Sequence, residues 1–258
     1  MTLAIIQARL GSTRLPGKAL CLLSGKPLLA HVIERVRAAG RVDRVVVATT
    51  DRPEDAAIET LAYELDVECF RGSERDVLDR FYRAAAATGA VEGDTIVRIT
   101  GDCPLQDPAV IDEVVARLAS QSVDYTSTPA NYPEGLDVEA FSFDALRTAQ
   151  EEATLPSERE HVTPYLKNHP ERFVCDTWTN GVVDDHTMHW SVDTEADFAF
   201  VEKLFEALYR EGELFGKDEV LAYLHAHPNL LAINAGGTGY EGLAKSLEED
   251  QEFLKNDS

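Results

Sequence analysis

The N-terminal part of the chain reads Leu3-Ala-Ile-Ile6, then Arg9-Leu-Gly-Ser-Thr-Arg-Leu-Pro-Gly-Lys18, then Pro27-Leu-Leu-Ala-His-Val-Ile-Glu-Arg-Val36. The first run is apolar throughout and predicts a buried strand, and the third has the periodicity of a helix. The loop between them contains three of the chain's 24 lysines and arginines. A cationic, glycine-bearing loop between a strand and a helix can hold phosphates, because backbone N–H groups and Lys or Arg side chains bind oxyanions. An ordinary solvated turn explains this loop less well, since the rest of the chain is strongly acidic.

The same alternation of apolar strands and helices continues through the first half of the chain. It predicts strands at 3–7, 44–49, 67–70 and 95–100, and helices at 28–38, 54–65, 75–87 and 108–118. Apolar strands that alternate with helices indicate a parallel sheet covered on both faces. Right-handed crossovers then give an α/β fold with a Rossmann-like, doubly wound, mostly parallel sheet.

After about residue 120 the pattern becomes mixed. It predicts strands at 123–126, 136–141, 173–177 and 188–192, and helices at 143–151, 158–167, 196–209 and 217–224. We therefore expect a smaller, partly antiparallel extension of the same sheet. We expect a single domain over residues 1–235, with its core at 1–120 and 181–225 and an insertion at about 121–180. A flexible acidic tail is expected over residues 236–258.

The composition excludes several classes of protein. The net charge is −22, from 46 acidic and 24 basic residues, and such a surface repels nucleic acid and anionic membranes. No apolar run reaches the roughly 20 residues of a membrane-spanning helix, and no signal-peptide pattern is present, so we expect a cytoplasmic protein. The four cysteines form no Cys-x-x-Cys pair and indicate neither a zinc ribbon nor a disulfide framework.

Two further loops carry carboxylates at the ends of predicted strands, where open parallel sheets bind ligands. Asp102 lies in Ile99-Thr-Gly-Asp-Cys-Pro104, and Asp193 lies in His189-Trp-Ser-Val-Asp-Thr-Glu-Ala-Asp197. A carboxylate beside a phosphate loop suits Mg²⁺, which takes one or two carboxylates together with substrate phosphates. A turn or helix-cap aspartate is an equally compatible interpretation of Asp102, whereas Asp193 precedes the predicted cap, Thr194.

The three loops together resemble those of the cytidylyltransferases that activate acidic sugars as CMP-sugars, the acylneuraminate and 3-deoxy-manno-octulosonate enzymes. The resemblance is carried by Ala8–Lys18, Gly101-Asp102 and Val192–Asp197. The first loop is not a Walker A loop, because Ala19 stands where that motif needs Ser or Thr. Within this superfamily the chain is most similar to the spore coat polysaccharide biosynthesis protein F family, through Phe70–Arg80, Glu134–Phe141 and Glu158–Tyr165. The resemblance covers about residues 1–210 and implies the nucleotide-diphospho-sugar transferase (GT-A-like) fold.

This resemblance implies roles for individual residues. Arg9, Ser12, Arg14 and Lys18 would hold the triphosphate of CTP, with Arg9 and Lys18 as catalytic residues, and Asp102 and Asp193 would bind Mg²⁺. The candidate nucleotide-binding residues are Ala8, Arg9, Gly11, Ser12, Arg14, Lys18, Arg71, Ser73 and Asp76, and the candidate acceptor-binding residues are Asp137, Glu139, His161 and Tyr165.

Other interpretations of these residues stay open. Asp137 and Glu139 alternate with apolar residues, so they also fit a solvated strand face, and His161 also fits a helix surface. A zinc site built from Asp184, Asp185, His186 and His189 is a further interpretation, although the spacing is loose and no cysteine joins it.

The expected function is that of a Mg²⁺-dependent cytidylyltransferase. It would transfer CMP from CTP to an acidic or amino sugar, or a similar small acid, and release pyrophosphate in surface polysaccharide biosynthesis. The central region lacks recognisable acceptor-binding elements of the sialic-acid enzymes, so the identity of the acceptor stays open. A homodimer through about residues 123–180 is compatible with the superfamily.

Two alternative functions fit the sequence less well. A GT-A-type glycosyltransferase with a nucleotide-sugar donor usually carries an Asp-x-Asp motif, where this chain has Gly101-Asp-Cys-Pro104. A non-enzymatic nucleotide-binding module would not need two metal-binding carboxylates.

Overall fold

The computed structural model describes residues 1–179, 187–235 and 241–256. Its strands are β1 (Thr2–Gln7), β2 (Leu22–Leu23), β3 (Lys26–Pro27), β4 (Arg44–Thr50), β5 (Glu68–Gly72), β6 (Thr95–Thr100), β7 (Tyr125–Ser127), β8 (Glu139–Ser142) and β9 (Cys175–Asp176). Its helices are α1 (Leu28–Arg37), α2 (Ala56–Glu64), α3 (Val77–Ala87), α4 (Pro108–Gln121), α5 (Phe143–Glu152), α6 (Pro156–His161), α7 (Pro164–Asn168), α8 (Glu195–Leu208), α9 (Lys217–Ala226) and α10 (Glu241–Asn256).

The main sheet of the described part of the chain has seven strands in the order β5-β4-β1-β6-β8-β7-β9. Strands β5, β4, β1 and β6 are parallel, whereas β8 runs antiparallel to both β6 and β7. The parallel strands therefore all end at one edge of the sheet, at Gln7, Thr50, Gly72 and Thr100. We call this edge the carboxyl edge, and the loops that follow these strands gather there.

Helices cover both faces of this sheet. One apolar core includes Leu29 of α1 and the other includes Phe81 of α3. Successive residues of β1 point into opposite cores, Ile5 into the second and Ile6 into the first, as the two-residue period of a strand requires. The predicted α/β fold, a doubly wound and mostly parallel sheet with a mixed extension, is confirmed.

Two predicted elements differ from the structure. The helix predicted at 158–167 is two short helices, α6 and α7, because Val162 between them has a φ of 71°, which no α-helix accommodates. The strand predicted at 188–192 is reduced to one isolated bridge between His189 and Glu134. This bridge still brings the segment before Asp193 alongside the segment that leads into β8.

The C-terminal segment is helical where the sequence predicts a flexible acidic tail. Helix α10 packs against α6, and the Asp250 carboxylate accepts the backbone N–H of Ser157 at 2.9 Å. The flexibility of the tail and the division into domains stay predictions. Among the described residues, no helix combines the length and the apolar character needed to cross a membrane.

Candidate active site

The Lys18 side chain joins two aspartates at the carboxyl edge. Its Nζ lies 2.8 Å from Oδ2 of Asp102 and 2.9 Å from Oδ1 of Asp193, and it also donates to the backbone carbonyl of Val192 at 2.7 Å. Lys18 is only 9% exposed, so most of its long side chain is covered by protein. Three segments far apart in the sequence thus converge on one ammonium group.

The backbone around this cluster explains why the three segments meet. Gly17, with a φ of 74°, turns the first loop into a short 3₁₀ turn that begins at Lys18. The Val192 N–H donates to the Asp102 carbonyl at 2.9 Å, which joins the second and third loops directly. A Cβ at Gly101 would lie 2.8 Å from the Gln7 carbonyl oxygen, so glycine is needed for the close approach of β6 to β1 here.

Opposite charges keep this cluster ionised. Burial lowers the pKa of Lys18, but the Asp102 and Asp193 carboxylates raise it more, so the pKa lies above its ordinary value. Desolvation by the surrounding protein raises the pKa of Asp102. The charge and the hydrogen bond of the Lys18 ammonium outweigh this effect and lower the pKa below its usual range.

The donor set of this cluster fits Mg²⁺. Asp102 and Asp193 offer hard carboxylate oxygens, and both already lie within 3 Å of a cation, the Lys18 ammonium. Asp193 also pairs with Arg14, whose Nη2 lies 2.9 Å from the same Oδ1. The predicted metal-binding pair therefore comes together in the structure.

The cationic loop after β1 contacts Glu74 and Asp55, and its Arg9 side chain is partly exposed to solvent. Arg9 is about half exposed, and its Nη1 lies 3.4 Å from Glu74. The loop backbone is fixed by Asp55, which accepts the Leu10 N–H at 2.7 Å and is itself buried. Ser12 accepts the Leu15 N–H at 3.4 Å within the loop. The sequence analysis did not identify Asp55, because its partner lies 45 residues away.

Ala8 and Gly11 are small residues at the start of the loop. Ala8 is buried, and its Cβ lies in the packing contact with Gly101. A Cβ at Gly11 would lie 3.6 Å from the Glu74 carboxylate. Both positions bring backbone, rather than a bulky side chain, towards the carboxyl edge.

The three residues predicted to bind the base shape the loop that follows β5. Arg71 donates to the carbonyls of Thr50 and Arg52 and pairs with Glu59. Ser73 accepts the Asp76 N–H, and Asp76 in turn caps α3 by accepting the Asp79 N–H. These contacts place the loop beside the end of β4, and its role in base binding stays a prediction.

The two carboxylates predicted to face the acceptor differ sharply. Glu139 is buried and ion-paired with Arg98, and it also accepts hydrogen bonds from the Tyr125 and Thr163 hydroxyls. Burial raises the pKa of Glu139, but Arg98 and the other donors prevail and lower it to about 2. Asp137, in contrast, is exposed. Only Asp137 leaves a carboxylate oxygen open, and acceptor binding by Glu139 stays a prediction.

The other two acceptor candidates contact helices rather than the Lys18 cluster. His161 lies 3.0 Å from the Ser246 hydroxyl of α10. The Tyr165 hydroxyl donates to Glu152 at 2.7 Å, and Tyr165 is buried. These contacts assign both residues to the packing of α6 and α7, so their role in acceptor binding stays a prediction.

A histidine cluster beside Asp193 was missed by the sequence analysis. His189 Nδ1 lies 2.8 Å from Glu134 Oε2, and His189 Nε2 lies 3.6 Å from Asp197 Oδ1. The Asp197 and Glu134 carboxylates raise the pKa of His189 to about 10, so the ring is doubly protonated. Glu134, His189 and Asp193 also lie close enough together to share a metal ion, which would have to displace the proton from the coordinating nitrogen of His189.

Only His189 of the four residues in the zinc interpretation lies in the described part of the chain. Asp184, Asp185 and His186 lie outside the described residues. The partner that His189 does contact, Glu134, is 55 residues away in the sequence. The two residues meet only in the folded chain, and the periodicity of a single sequence does not reveal such a contact.

The fold and the cationic loop that faces two aspartates define a nucleotidyltransferase. The cytidylyltransferase family model matches residues 3–223. The chain is 39% identical to the protein MJ1063 of Methanocaldococcus jannaschii over 236 residues, which covers 90% of this chain and 94% of that protein. It is 32% identical to the spore coat polysaccharide biosynthesis protein SpsF of Bacillus subtilis over 243 residues, covering 88% and 95% of the two chains.

A solved structure agrees with these sequence matches. A cytidylyltransferase from Leptospira borgpetersenii superposes with a TM-score of 0.83 at 28% identity and covers 93% of this chain and 99% of its own. This chain therefore belongs to the cytidylyltransferase family, and the predicted nucleotidyltransferase activity class is confirmed.

Proposed function

We propose that this protein transfers CMP from CTP to a small acceptor, an acidic or amino sugar or a similar small acid, and releases pyrophosphate in a Mg²⁺-dependent reaction. The observation that carries the proposal is the Lys18 ammonium between Asp102 and Asp193 at the carboxyl edge. The similarity to a protein of spore coat polysaccharide biosynthesis supports a role in the synthesis of a surface glycan.

The loop after β1 is proposed to bind the triphosphate. Arg9 and Arg14 are partly exposed, and their present partners are the carboxylates of Glu74 and Asp193. Phosphate oxygens can take the place of these carboxylate partners, because Arg binds both groups through the same planar fork. Ser12 adds a hydroxyl, and the small residues at positions 8 and 11 let the chain approach the phosphates closely.

Asp102 and Asp193 are proposed to hold the Mg²⁺ ion. When bound, Mg²⁺ supplies positive charge that neutralises the triphosphate oxygens. A cation there would compete with Lys18 for the two carboxylates, which frees the ammonium to turn towards the phosphates. Within this proposal, Lys18 and Arg9 stabilise the charge that develops on the departing pyrophosphate.

The chemistry requires alignment more than covalent catalysis. An oxygen of the acceptor attacks the α-phosphorus, the bond from that phosphorus to the bridging oxygen breaks, and pyrophosphate leaves with both electrons. The protein holds the two substrates in line and neutralises charge, as in other phosphoryl-transfer enzymes.

The base and the acceptor are proposed to bind at two different sides of the carboxyl edge. Arg71, Ser73 and Asp76 lie at the β5 end and are proposed to contact the base. The segment 121–180 supplies the acceptor side and, in our proposal, the interface of a homodimer. The acceptor residues proposed there are Asp137, Glu139, His161 and Tyr165.

A thermal-shift panel tests nucleotide selectivity. CTP, UTP, ATP, GTP, dTTP and UDP-sugars are each added with and without Mg²⁺ to wild type, Lys18→Ala and a control, Lys203→Ala, whose lysine is an exposed partner of Glu206. A ligand that binds only the folded state raises the Tm. We expect CTP with Mg²⁺ to raise the Tm of wild type and Lys203→Ala, but not of Lys18→Ala. A shift with a UDP-sugar and none with CTP contradicts the proposal and indicates glycosyl transfer.

A further inference from the structure

Asp137 lies at the carboxyl edge beside the metal-binding loop. Strand β8 pairs with β6 in an antiparallel register that sets Glu139 opposite Arg98 and Ala140 opposite Val97. The pairs of this register end at Glu139 and Arg98. Asp137 lies two residues beyond this last pair, towards the carboxyl edge, and is close enough to Cys103, the neighbour of Asp102, for the two groups to interact electrostatically. Asp137 therefore stands on the acceptor side of the proposed reaction centre.

A tight backbone turn fixes the position of Asp137. Its Oδ2 accepts the Gly135 N–H at 2.8 Å. Gly135 has a φ of 98°, and a Cβ there would lie 2.5 Å from the Ser191 nitrogen and 2.6 Å from the Trp190 carbonyl carbon. The turn that holds Asp137 is thus packed directly on the segment that ends at Asp193.

The second carboxylate oxygen of Asp137 remains open. Among the described residues it makes no hydrogen bond or ion pair, and the side chain is exposed. The groups that face it are Glu134 before the turn, Glu139 on β8, Arg98 on β6 and Cys103 after β6. Partial desolvation by neighbouring protein atoms raises the pKa of Asp137, and the negative charges of Glu134 and Glu139 raise it further. The Gly135 N–H and the Arg98 guanidinium lower it, but less strongly.

The neighbouring carboxylates are already engaged. Asp102 and Asp193 bind Lys18, Glu134 binds His189, and Glu139 is buried with Arg98. Among the described residues, Asp137 differs from all four in forming no ion pair, and one of its oxygens is open to accept a proton from a bound molecule.

We propose that Asp137 is the general base that takes the proton from the attacking hydroxyl group of the acceptor. The acceptor O–H gives its proton to the open oxygen of Asp137 as its oxygen bonds to the α-phosphorus of CTP. The bond to the bridging oxygen breaks, and pyrophosphate leaves with that electron pair. A carboxylate nucleophile carries no proton to remove and would need no base. The inference rests on the proposed function.

The test uses Asp137→Asn, Asp137→Glu and a matched control, Asp66→Asn. Asp66 is exposed in the turn before β5, at the opposite edge of the sheet. Pyrophosphate release is measured with CTP and Mg²⁺, first with water alone as acceptor, then with 3-deoxy-manno-octulosonate, N-acetylneuraminate and glucosamine. The thermal shift with CTP is recorded for every variant.

If Asp137 is the base, Asp137→Asn keeps the CTP-dependent rise in Tm but loses about 100-fold or more in kcat. The KM for CTP stays within about twofold, because a base acts on the proton and not on CTP binding. The wild-type kcat falls as the pH is lowered through the pKa of Asp137, and Asp137→Asn lacks this dependence. Asp137→Glu recovers part of the rate, and Asp66→Asn behaves as wild type.

Two results overturn the inference in distinguishable ways. If Asp137→Asn keeps the wild-type kcat and pH profile, the base assignment is wrong and the transferase proposal stands. If wild type shows no CTP-dependent rise in Tm, or releases no pyrophosphate with water or any of the three sugars, the proposed function fails and the base assignment fails with it.

Discussion

Lys18 donates to Oδ1 of Asp193 at 2.9 Å, although 175 residues separate them in the sequence. The contact is possible because β1 and β6 lie side by side and the Val192 N–H binds the Asp102 carbonyl. In the proposed reaction, this ammonium between two carboxylates lies where the triphosphate and the metal ion bind.

Replacement of Lys18 is expected to reduce turnover far more than folding. In Lys18→Ala, kcat/KM for CTP falls about 10²–10³-fold, because a preorganised cation is lost from the developing charge of the pyrophosphate. Lys18→Arg does not restore the rate, since the planar guanidinium cannot replace a compact ammonium between two carboxylates. Steady-state pyrophosphate release measures both variants against Lys203→Ala, and wild-type turnover in Lys18→Ala would remove Lys18 from the site.

The buried Glu139 carboxylate is expected to stabilise the fold in a pH-dependent way. Its pKa is lowered from 4.5 to about 2, so its contribution is present above about pH 4.5 and is lost as the pH falls towards 2. A shift of this size corresponds to about 3 kcal/mol. Urea unfolding of wild type and Glu139→Gln checks this: the difference in unfolding free energy at pH 7 shrinks at pH 3. An equal difference at both pH values would contradict the ion pair with Arg98.

The His189 imidazolium should stabilise the fold with the opposite dependence on pH. Its pKa is raised from 6.5 to about 10 by Asp197 and Glu134. Its contribution is therefore complete below about pH 6.5 and is lost as the pH rises through 10. The Tm difference between wild type and His189→Gln is expected to be largest at pH 6 and smaller at pH 10, measured by circular dichroism. A difference that grows with pH would show that His189 is neutral in the folded protein.

A methyl group at position 101 is expected to disturb both stability and activity. In Gly101→Ala the new Cβ would lie 2.8 Å from the Gln7 carbonyl oxygen and 2.9 Å from the Ala8 Cβ. Backbone must move to relieve these contacts, at a cost of about 1–3 kcal/mol, and Asp102 moves with it. Chemical unfolding is compared with Gly40→Ala, whose Cβ would meet Asp112 at an easier 3.4 Å. Equal stability of the two variants would contradict the close approach of β6 to β1.

Most of the fold could be predicted from the sequence because its strands are buried on both faces. Runs such as Leu3–Ile6 are apolar without interruption, and the helices between them have clear periodicity. The prediction was less accurate after residue 120, where the strands have only two to four residues and the helix predicted at 158–167 breaks at Val162. Local pattern is weak in such short elements, and tertiary contacts decide them.

The convergence of the first loop with Asp102 and Asp193 was predictable, because ligands gather at the carboxyl edge of a parallel sheet. The different environments of Asp137 and Glu139 were not, since both alternate identically with apolar residues. Their difference comes from Arg98, Tyr125 and Thr163, which close around Glu139 from other parts of the chain. The Glu134–His189 pair was missed for the same reason.

The most direct test of the account is mass spectrometry of the products formed from CTP, Mg²⁺ and the three sugars, with pyrophosphate quantified in the same reaction. The account predicts a CMP adduct of an acceptor and one pyrophosphate per adduct, with CTP preferred over UTP and little product from Lys18→Ala. If the protein instead releases a nucleoside diphosphate from a UDP-sugar and forms neither pyrophosphate nor a CMP adduct, the account is contradicted.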